Sequence, residues 1–265
     1  AANLRVAKIL FFLQTMQNPI NYVILKVRYF LDLGNTQLKL ATLQNQHWVR
    51  LASFSSVNEC LAYLKNAPVA NEVYLVSVTN AHEALAAYFN TQSINLRVFD
   101  PSQGVPFKII YEGKSLGHDR IVTTAGAQGM FSGFPVLVID AGTCIKYQLL
   151  TPDNVLYPGP ISPGMQLRLN AMNQFTSALP PLKFNPDFTK STVINTSEAI
   201  WSGAQRGAVM EVKGFIEDYS REWPDIKIVF TGGHAAYLSA QFKNRYFESP
   251  DLIFYGLHAL FNLTD

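Results

Sequence analysis

Short apolar runs in the first part of the chain predict a sheet whose strands are joined first by turns and then by helices. Three strand patterns follow one another directly, and two further strand patterns each come after a helix pattern. The run at 72–78 is almost continuously apolar, which indicates a strand buried on both faces. The predicted strands span 27–33, 37–43, 48–54, 72–78 and 96–99, and the predicted helices span 57–66 and 81–90.

A similar pattern begins again at Val136 and predicts a second group of strands and helices. A buried strand, a tight glycine turn and a return strand occupy 136–150, and a short third strand follows at 155–157. Loops are predicted at 158–164 and at the Pro- and Phe-rich stretch 176–191. The other predicted elements are an extended segment at 107–111, helices at 119–128, 165–174, 197–223 and 252–261, a strand at 226–230 and a helix ending near 242.

The order of these elements predicts an α/β fold made of two related halves. Three strands followed by alternating helices and strands resemble half of a ribonuclease-H-like nucleotide fold. We therefore predict duplicated ribonuclease-H-like halves of the actin-like ATPase type, with mixed sheets flanked by helices. The halves are placed at 27–115 and 116–265, and residues 1–26 are treated as an N-terminal extension of open status.

Each predicted half contains a hairpin that carries an acid. An apolar strand leads to Asp32 and then Gly34, and the second half repeats this order with Asp140 and Gly142. The acid lies where the strand leaves the core, so it can ionise and face a cation or a phosphate. The glycine lets backbone N–H groups approach a phosphate, and Thr143 adds a hydroxyl donor. Each Asp-x-Gly could also be an ordinary hairpin turn, but the repetition favours two halves with a nucleotide between them.

Two further segments carry candidate chemistry. The strand at 226–230 runs through Gly232 and Gly233 into a helix, which would offer free N–H groups to an anion. A plain strand-to-helix turn is the alternative there. Asp119 lies at a predicted helix start beside Arg120, where it could be only an N-cap. It could instead receive a hydroxyl proton while the arginine anchors an acidic substrate.

Six short motifs occur in order along the chain: Asp32-x-Gly34-Asn35-Thr36, Gly117-x-Asp119-Arg120, Asp140-x-Gly142-Thr143, Pro158-Gly159-x-Ile161-x-Pro163-Gly164, Asn195-Thr196-x-x-Ala199 and Thr231-Gly232-Gly233. Taken together they resemble type III pantothenate kinases, a family of the acetate-and-sugar-kinase, Hsp70 and actin superfamily. The resemblance implies a cytoplasmic homodimer that phosphorylates pantothenate with ATP to give 4′-phosphopantothenate, the first committed step to coenzyme A. It also implies Mg²⁺ and a monovalent cation, K⁺ or NH₄⁺.

The resemblance further implies roles for individual residues. Asp119 would be the general base for the substrate hydroxyl, Asp32 would lie near the Mg²⁺–phosphate, and Asp140 would hold the monovalent cation. The residues implied to bind ATP are Asp32, Leu33, Gly34, Asn35, Thr36, Gln37, Leu38, Lys39, Thr143, Gly232 and Gly233. The residues implied to line the pantothenate site are Tyr111, Gly117, His118, Asp119, Arg120 and Thr196, with Arg120 on the substrate carboxylate and Thr196 near a dimer interface.

The sequence departs from the family pattern in four places. His118 stands where alanine is usual, and Pro160 stands in a loop that is usually looser. Lys146 and Gln148 follow the second hairpin where threonine and aspartate are common, so the cation site could be altered and Lys146 could replace part of a cation's charge. The extension before residue 27 is the fourth departure, because family members normally begin just before the first strand.

Composition narrows the range of partners. The 265 residues are 48% hydrophobic and carry a net charge of +2 without a basic block, which gives no electrostatic case for nucleic acid or for anionic membranes. No apolar run approaches the length of a membrane span. Cys60 and Cys144 have neither metal nor disulfide-framework spacing, which fits a reducing cytoplasm. Two alternatives stay open: a superfamily kinase for another small hydroxy acid or sugar, and a non-catalytic regulatory or binding relative.

Overall fold

The computed structural model describes residues 27–79, 82–113, 116–242 and 246–262. The predicted extension at 1–26 lies outside the described residues, as does the first residue of the helix predicted at 81–90. The chain enters the first sheet at Val27, whose backbone N–H donates to the Asn71 side chain at 2.8 Å. The Val27 carbonyl accepts a hydrogen bond from the Asn71 N–H, also at 2.8 Å, so both backbone polar groups of Val27 are held by Asn71.

The first half is built on a five-stranded mixed sheet of order β3-β2-β1-β4-β5. Strands β1, β2 and β3 form an antiparallel meander, and β4 and β5 add in parallel on the other side of β1. The four central residues of β4 are buried, as its apolar run predicted. Strands β1 to β5 span Arg28–Leu33, Leu38–Gln44, His47–Phe54, Glu72–Ser77 and Asn95–Val98.

The second half repeats this arrangement in a six-stranded sheet of order β11-β10-β7-β8-β9-β6. One of these strands, β6, comes from residues that precede the predicted boundary at 116. Strands β7, β8 and β9 form the antiparallel meander, and β10 and β11 add in parallel beside β7. The order β9-β8-β7-β10-β11 therefore repeats the order of the first sheet, which confirms the predicted fold of duplicated halves. Strands β6 to β11 span Lys108–Ile109, Val136–Ala141, Cys144–Leu150, Val155–Pro163, Lys227–Thr231 and Tyr246–Glu248.

Two helices, α3 and α8, form a layer between the two sheets. Their buried residues share one hydrophobic core with Phe30 and Tyr74 of the first sheet and Val136 of the second. The two helices pack so closely that a Cβ at Gly256 would lie 1.8 Å from the Val122 carbonyl oxygen. Helices α1 to α8 span Val57–Leu64, His82–Thr91, His118–Met130, Met165–Gln174, Thr196–Trp201, Gly207–Glu222, Ala235–Ser239 and Leu252–Leu260.

The outer faces of the sheets are covered by the other helices. Helices α1 and α2 pack on the first sheet through Cys60, Leu85 and Phe89, and α6 and α7 pack on the second through Val212 and Leu238. Burying one such large apolar side chain stabilises the fold by about 1.5–3 kcal/mol relative to leaving it exposed. Within the described part of the chain, no helix is both long enough and apolar enough to cross a lipid bilayer.

Several predicted boundaries in the second half were wrong. The loop predicted at 158–164 is largely strand, because β9 continues to Pro163. Its prolines are tolerated because β6 pairs with only the first two residues of β9, and because the β8–β9 register shifts between Lys146 and Gln148. The long helix predicted at 197–223 contains a π-helical turn, Ser202–Arg206, between α5 and α6. The three-residue strand β11 was not predicted.

Candidate active site

The first acid-bearing hairpin joins β1 to β2. Asp32 lies on β1 opposite Lys39 of β2, whose ammonium is 3.0 Å from the Asp32 carboxylate. Asp32 is buried, and this burial raises the pKa of its carboxyl, with a further increase from the neighbouring charges of Asp140 and Asp119. Lys39 opposes these effects on the Asp32 pKa. The influence of Asp119 and Asp140 indicates that three carboxylates, from three different elements, lie near one another; we call the space between them the acidic cleft.

The second hairpin joins β7 to β8 and repeats the same cross-strand pairing. Asp140 of β7 is opposite Lys146 of β8, and the Lys146 ammonium is 2.7 Å from an Asp140 carboxylate oxygen. The same ammonium also donates to the Asp119 carboxylate on α3. Each hairpin thus carries an aspartate paired with a lysine, but only the second lysine connects two carboxylates.

The turns of the two hairpins are in direct contact. The hydroxyl oxygens of Thr36 and Thr143 are 2.7 Å apart, and both residues are exposed. Beside them the backbone N–H of Gly34 donates to the Gln37 carbonyl at 3.1 Å, which closes the first turn. The contact brings the tips of the two hairpins, one from each half, together.

The glycine turn after β10 lies against the second hairpin. Thr231 is the register partner of Asp140, and Gly232 follows with a φ of 89°, in the region that favours glycine. A Cβ at Gly232 would lie 2.5 Å from an Asp140 carboxylate oxygen and 2.6 Å from the Ala141 carbonyl oxygen. Any side chain at this position would therefore displace Asp140, whereas a Cβ at Gly233 would meet no atom within 4 Å.

Asp119 reaches the cleft from the first turn of α3. The residue that caps this helix is Gly117, and Asp119 is the second residue of the helix, so the alternative that Asp119 is only an N-cap is wrong. One carboxylate oxygen accepts from the Arg120 backbone N–H at 2.9 Å, and the other accepts from the Lys146 ammonium. A Cβ at Gly117 would lie 2.6 Å from the Asp119 carboxylate, so the glycine makes room for this carboxylate.

Arg120 is directed into the second half. It is 3% exposed, and one terminal nitrogen donates to the Tyr147 carbonyl at 2.7 Å and to the Gly159 carbonyl at 2.9 Å. The buried Nε atom has no hydrogen-bond partner among the described residues. Burial lowers the pKa of Arg120, while the nearby charges of Asp119 and Tyr111 raise it. The arginine is therefore held by the β8 and β9 backbones and lies near Tyr111.

The other residues predicted to form the site are distributed unequally around it. The His118 ring packs edge-on against Phe99 at the end of the first sheet, with centroids 5.7 Å apart. Thr196 begins α5 and is exposed, and in the described residues no hydrogen bond connects it to the acidic cleft. In the first hairpin Asn35 and Gln37 are exposed, whereas Leu33 and Leu38 are buried. Leu33 and Leu38 can therefore contact a ligand only through their backbone groups.

Two features of the site were missed in the sequence. The first is that Lys39 and Lys146 occupy equivalent positions, each opposite the aspartate of its own hairpin. The spacing of each lysine from its aspartate could have indicated this, once a register was assumed for the hairpin. The second is Gln148, which is fully buried and donates to the Thr123 hydroxyl at 3.3 Å. Its side-chain oxygen has no hydrogen-bond partner among the described residues. No pattern in the sequence indicated that Gln148 would be buried.

The donor set can be compared with the two cations that the resemblance implies. Asp32 offers a carboxylate at the turn where a nucleotide phosphate would lie, with the Lys39 ammonium 3.0 Å from one of its oxygens. One shared carboxylate fits Mg²⁺, because Mg²⁺ takes most of its ligands from phosphates and water. Asp140 does not fit the monovalent cation in the same way, because its carboxylate already holds the Lys146 ammonium. Among the described residues, no group of three or more His, Cys, Asp or Glu side chains is placed to hold a metal by itself.

The duplicated fold, with one acid-bearing hairpin from each half, is that of the actin-like class of proteins. Residues 29–218 match the model of the family described as Type III pantothenate kinase. The chain belongs to this family.

Relatives agree with this assignment, and one solved structure shares the fold. A Type III pantothenate kinase from Christiangramia forsetii is 36% identical over 240 residues, covering 88% of this chain and 98% of its own length. One from Flavobacterium johnsoniae is 31% identical over 239 residues, covering 85% and 93% of the two chains. The structure of a conserved Baf family protein of Campylobacter jejuni, described as a transcriptional activator, shares the fold with a TM-score of 0.60 at 19% identity, covering 88% of this chain and 97% of that one.

Proposed function

We propose that this chain transfers the terminal phosphoryl group of ATP to the hydroxyl of pantothenate, giving 4′-phosphopantothenate for coenzyme A biosynthesis. The family assignment supports the substrates, since the relatives are pantothenate kinases by name. The observation that carries the mechanism is that Asp32, Asp119 and Asp140 lie near one another at the two hairpins whose turns are in contact.

The two hairpins and the glycine turn bind the nucleotide in this proposal. Residues 32–39 and Thr143 supply backbone N–H groups and hydroxyls to the phosphates, and Gly232 and Gly233 lie beside them. Asp32 would hold Mg²⁺, which would neutralise charge on the phosphates when bound. Phosphoryl transfer requires positioning and charge neutralisation more than covalent catalysis, and these fixed donors provide both.

Asp119 is the general base in this proposal. Its carboxylate is fixed at the start of α3 by the Arg120 N–H and the Lys146 ammonium, and it can accept the hydroxyl proton as the new P–O bond forms. Tyr111, Gly117 and His118 line the pantothenate pocket. Arg120 supplies positive charge to the pantothenate carboxylate, with its Nε as a remaining buried donor.

We further propose a cytoplasmic homodimer. Large apolar side chains are exposed on β9, on and just after α4, and in the segment that leads to Thr196, which favours a protein interface in this region. These side chains are Tyr157, Ile161, Leu167, Phe175, Val193 and Ile194. Thr196 would then reach the pantothenate site from near the dimer contact. Both cysteines are free thiols, which fits a reducing compartment.

The test is ADP release by the purified protein with ATP, Mg²⁺ and pantothenate, compared with other small hydroxy acids and sugars. We expect pantothenate to be the substrate and Asp119→Asn to lower kcat by about 10²–10⁴-fold, the usual contribution of a general base. Asp218→Asn is the matched control, because Asp218 is an exposed aspartate on α6. Turnover of another hydroxy acid or sugar without turnover of pantothenate would refute the substrate, and an undiminished rate of Asp119→Asn would refute the base.

A further inference from the structure

The Lys146 ammonium lies between two carboxylates of the acidic cleft. It is 2.7 Å from an Asp140 oxygen and donates to an Asp119 oxygen, and its side chain is 19% exposed. The position is determined by the sheet, since Lys146 pairs with Asp140 on one side and with Ile161 of β9 on the other. The charged group is therefore built into the strand rather than carried by a mobile surface side chain.

The place taken by this ammonium is the one where the family resemblance puts a monovalent cation. A lysine ammonium carries the same single charge as K⁺ or NH₄⁺ and, like NH₄⁺, donates hydrogen bonds to carboxylate oxygens. A second monovalent cation at Asp140 would have to share its carboxylate with Lys146 and would be repelled by the like charge. The side chains present therefore do not fit a free cation at this position.

We propose that Lys146 permanently replaces the monovalent cation, so that this kinase needs neither K⁺ nor NH₄⁺. The inference rests on the proposed phosphoryl transfer and concerns how its charge is balanced. Lys146 neutralises Asp140 at the phosphate end of the cleft and also positions the carboxylate of Asp119. The contacts with two carboxylates favour the charged form of the Lys146 side chain.

The first experiment compares cations at equal ionic strength. Initial rates of ADP release are measured for the wild-type protein in potassium, ammonium and choline chloride, and we expect them to agree within about twofold. Thermal unfolding in the same salts is the readout independent of activity, because a cation that binds the folded state raises the melting temperature. We expect no shift specific to K⁺. A rate that rises tenfold or more in K⁺, or a K⁺-specific shift in melting temperature, would overturn the proposal.

Two substitutions at Lys146 distinguish the effect of its positive charge from the effect of its side-chain volume. Lys146→Thr removes the ammonium and leaves room, so we expect both the rate and the melting temperature of this variant to become dependent on K⁺ or NH₄⁺. Lys146→Met keeps much of the side-chain volume without the charge, so its lost rate should not be restored by K⁺. Lys213→Thr, at an exposed lysine of α6, is the control and should behave like wild type.

The outcomes separate this proposal from the proposed function. A Lys146→Thr variant that folds but gains neither rate nor stability in K⁺ would contradict replacement of a cation by this lysine. If that variant does not fold, the salt comparison on the wild type still decides the question. Absence of pantothenate turnover in every salt would refute the proposed function, while the melting temperatures would still report whether the folded protein binds K⁺.

Discussion

The close contact between α3 and α8 leads to a prediction about stability. Gly256 lies in the middle of α8, and a Cβ there would be 1.8 Å from the Val122 carbonyl oxygen, whereas real Cβ atoms essentially never approach other atoms within 3.0 Å. Gly256→Ala would therefore force the two helices apart by at least about 1.2 Å. The neighbouring atom belongs to the backbone of α3, so a simple rotamer change cannot relieve the contact.

The size of the effect follows from two opposing contributions. Overpacking of a core costs up to about 3 kcal/mol, and a backbone neighbour places Gly256→Ala at the upper end. Alanine is favoured over glycine inside a helix by about 1 kcal/mol, which offsets part of that cost. We expect a net loss of about 2 kcal/mol in the free energy of unfolding, or a melting temperature lower by about 4–8 °C for a domain of this size.

The measurement is chemical denaturation together with thermal unfolding of the variant and a matched control. Gly214→Ala is the control, because Gly214 lies inside α6 and a Cβ there would meet no atom within 4 Å. It should gain up to about 1 kcal/mol from helix propensity alone. If Gly256→Ala is as stable as Gly214→Ala, the two helices do not pack in the described way and the central layer is wrong.

Three other predictions concern the site and the core. Gly232→Ala should lower kcat/KM by at least about tenfold and should also lower the melting temperature, because the new methyl group would lie 2.5 Å from the Asp140 carboxylate and 2.6 Å from the Ala141 carbonyl oxygen, at a residue with a φ of 89°. Steady-state kinetics below the melting temperature, together with a melting curve, would check this, and an unchanged kcat/KM would contradict it. Thr36→Val should raise the KM for ATP by about tenfold through loss of one hydroxyl donor, and a KM equal to that of wild type would exclude a phosphate contact there. Burial raises the pKa of the Cys60 thiol to about 12. A thiol reagent such as DTNB should therefore leave Cys60 unmodified in the native protein and should modify both cysteines after unfolding. Rapid modification of Cys60 in the native state would contradict its burial.

The duplicated fold could be predicted because its signals are local. Apolar runs that end in Asp-x-Gly identify a strand, its exit from the core and the following turn, and both hairpins were found where these signals place them. The strand β9 was cut short because Pro158, Pro160 and Pro163 are typical of loops. They are compatible with a strand only because β6 leaves most of one edge unpaired, and that depends on another part of the chain.

The candidate site could be predicted only in part, for the same physical reason. Asp32, Asp119 and Asp140 each stand in a recognisable local context, so they could be selected one by one. The contact between Lys146 and Asp119 depends on how α3 packs against β8, which no local pattern encodes. Nor could the sequence show that Arg120 would be held by two backbone carbonyls, since those belong to Tyr147 and Gly159 on different strands.

The anchoring of Val27 to Asn71 has a practical consequence for experiments on this kinase. Strand β1 separates Val27 from Asp32 by five residues, which is about 17 Å at the usual rise per residue. Val27 and Asn71 therefore lie at the end of the sheet remote from the acidic cleft. A label placed at this end of the sheet should leave nucleotide access free, so labelled protein can be used for binding measurements.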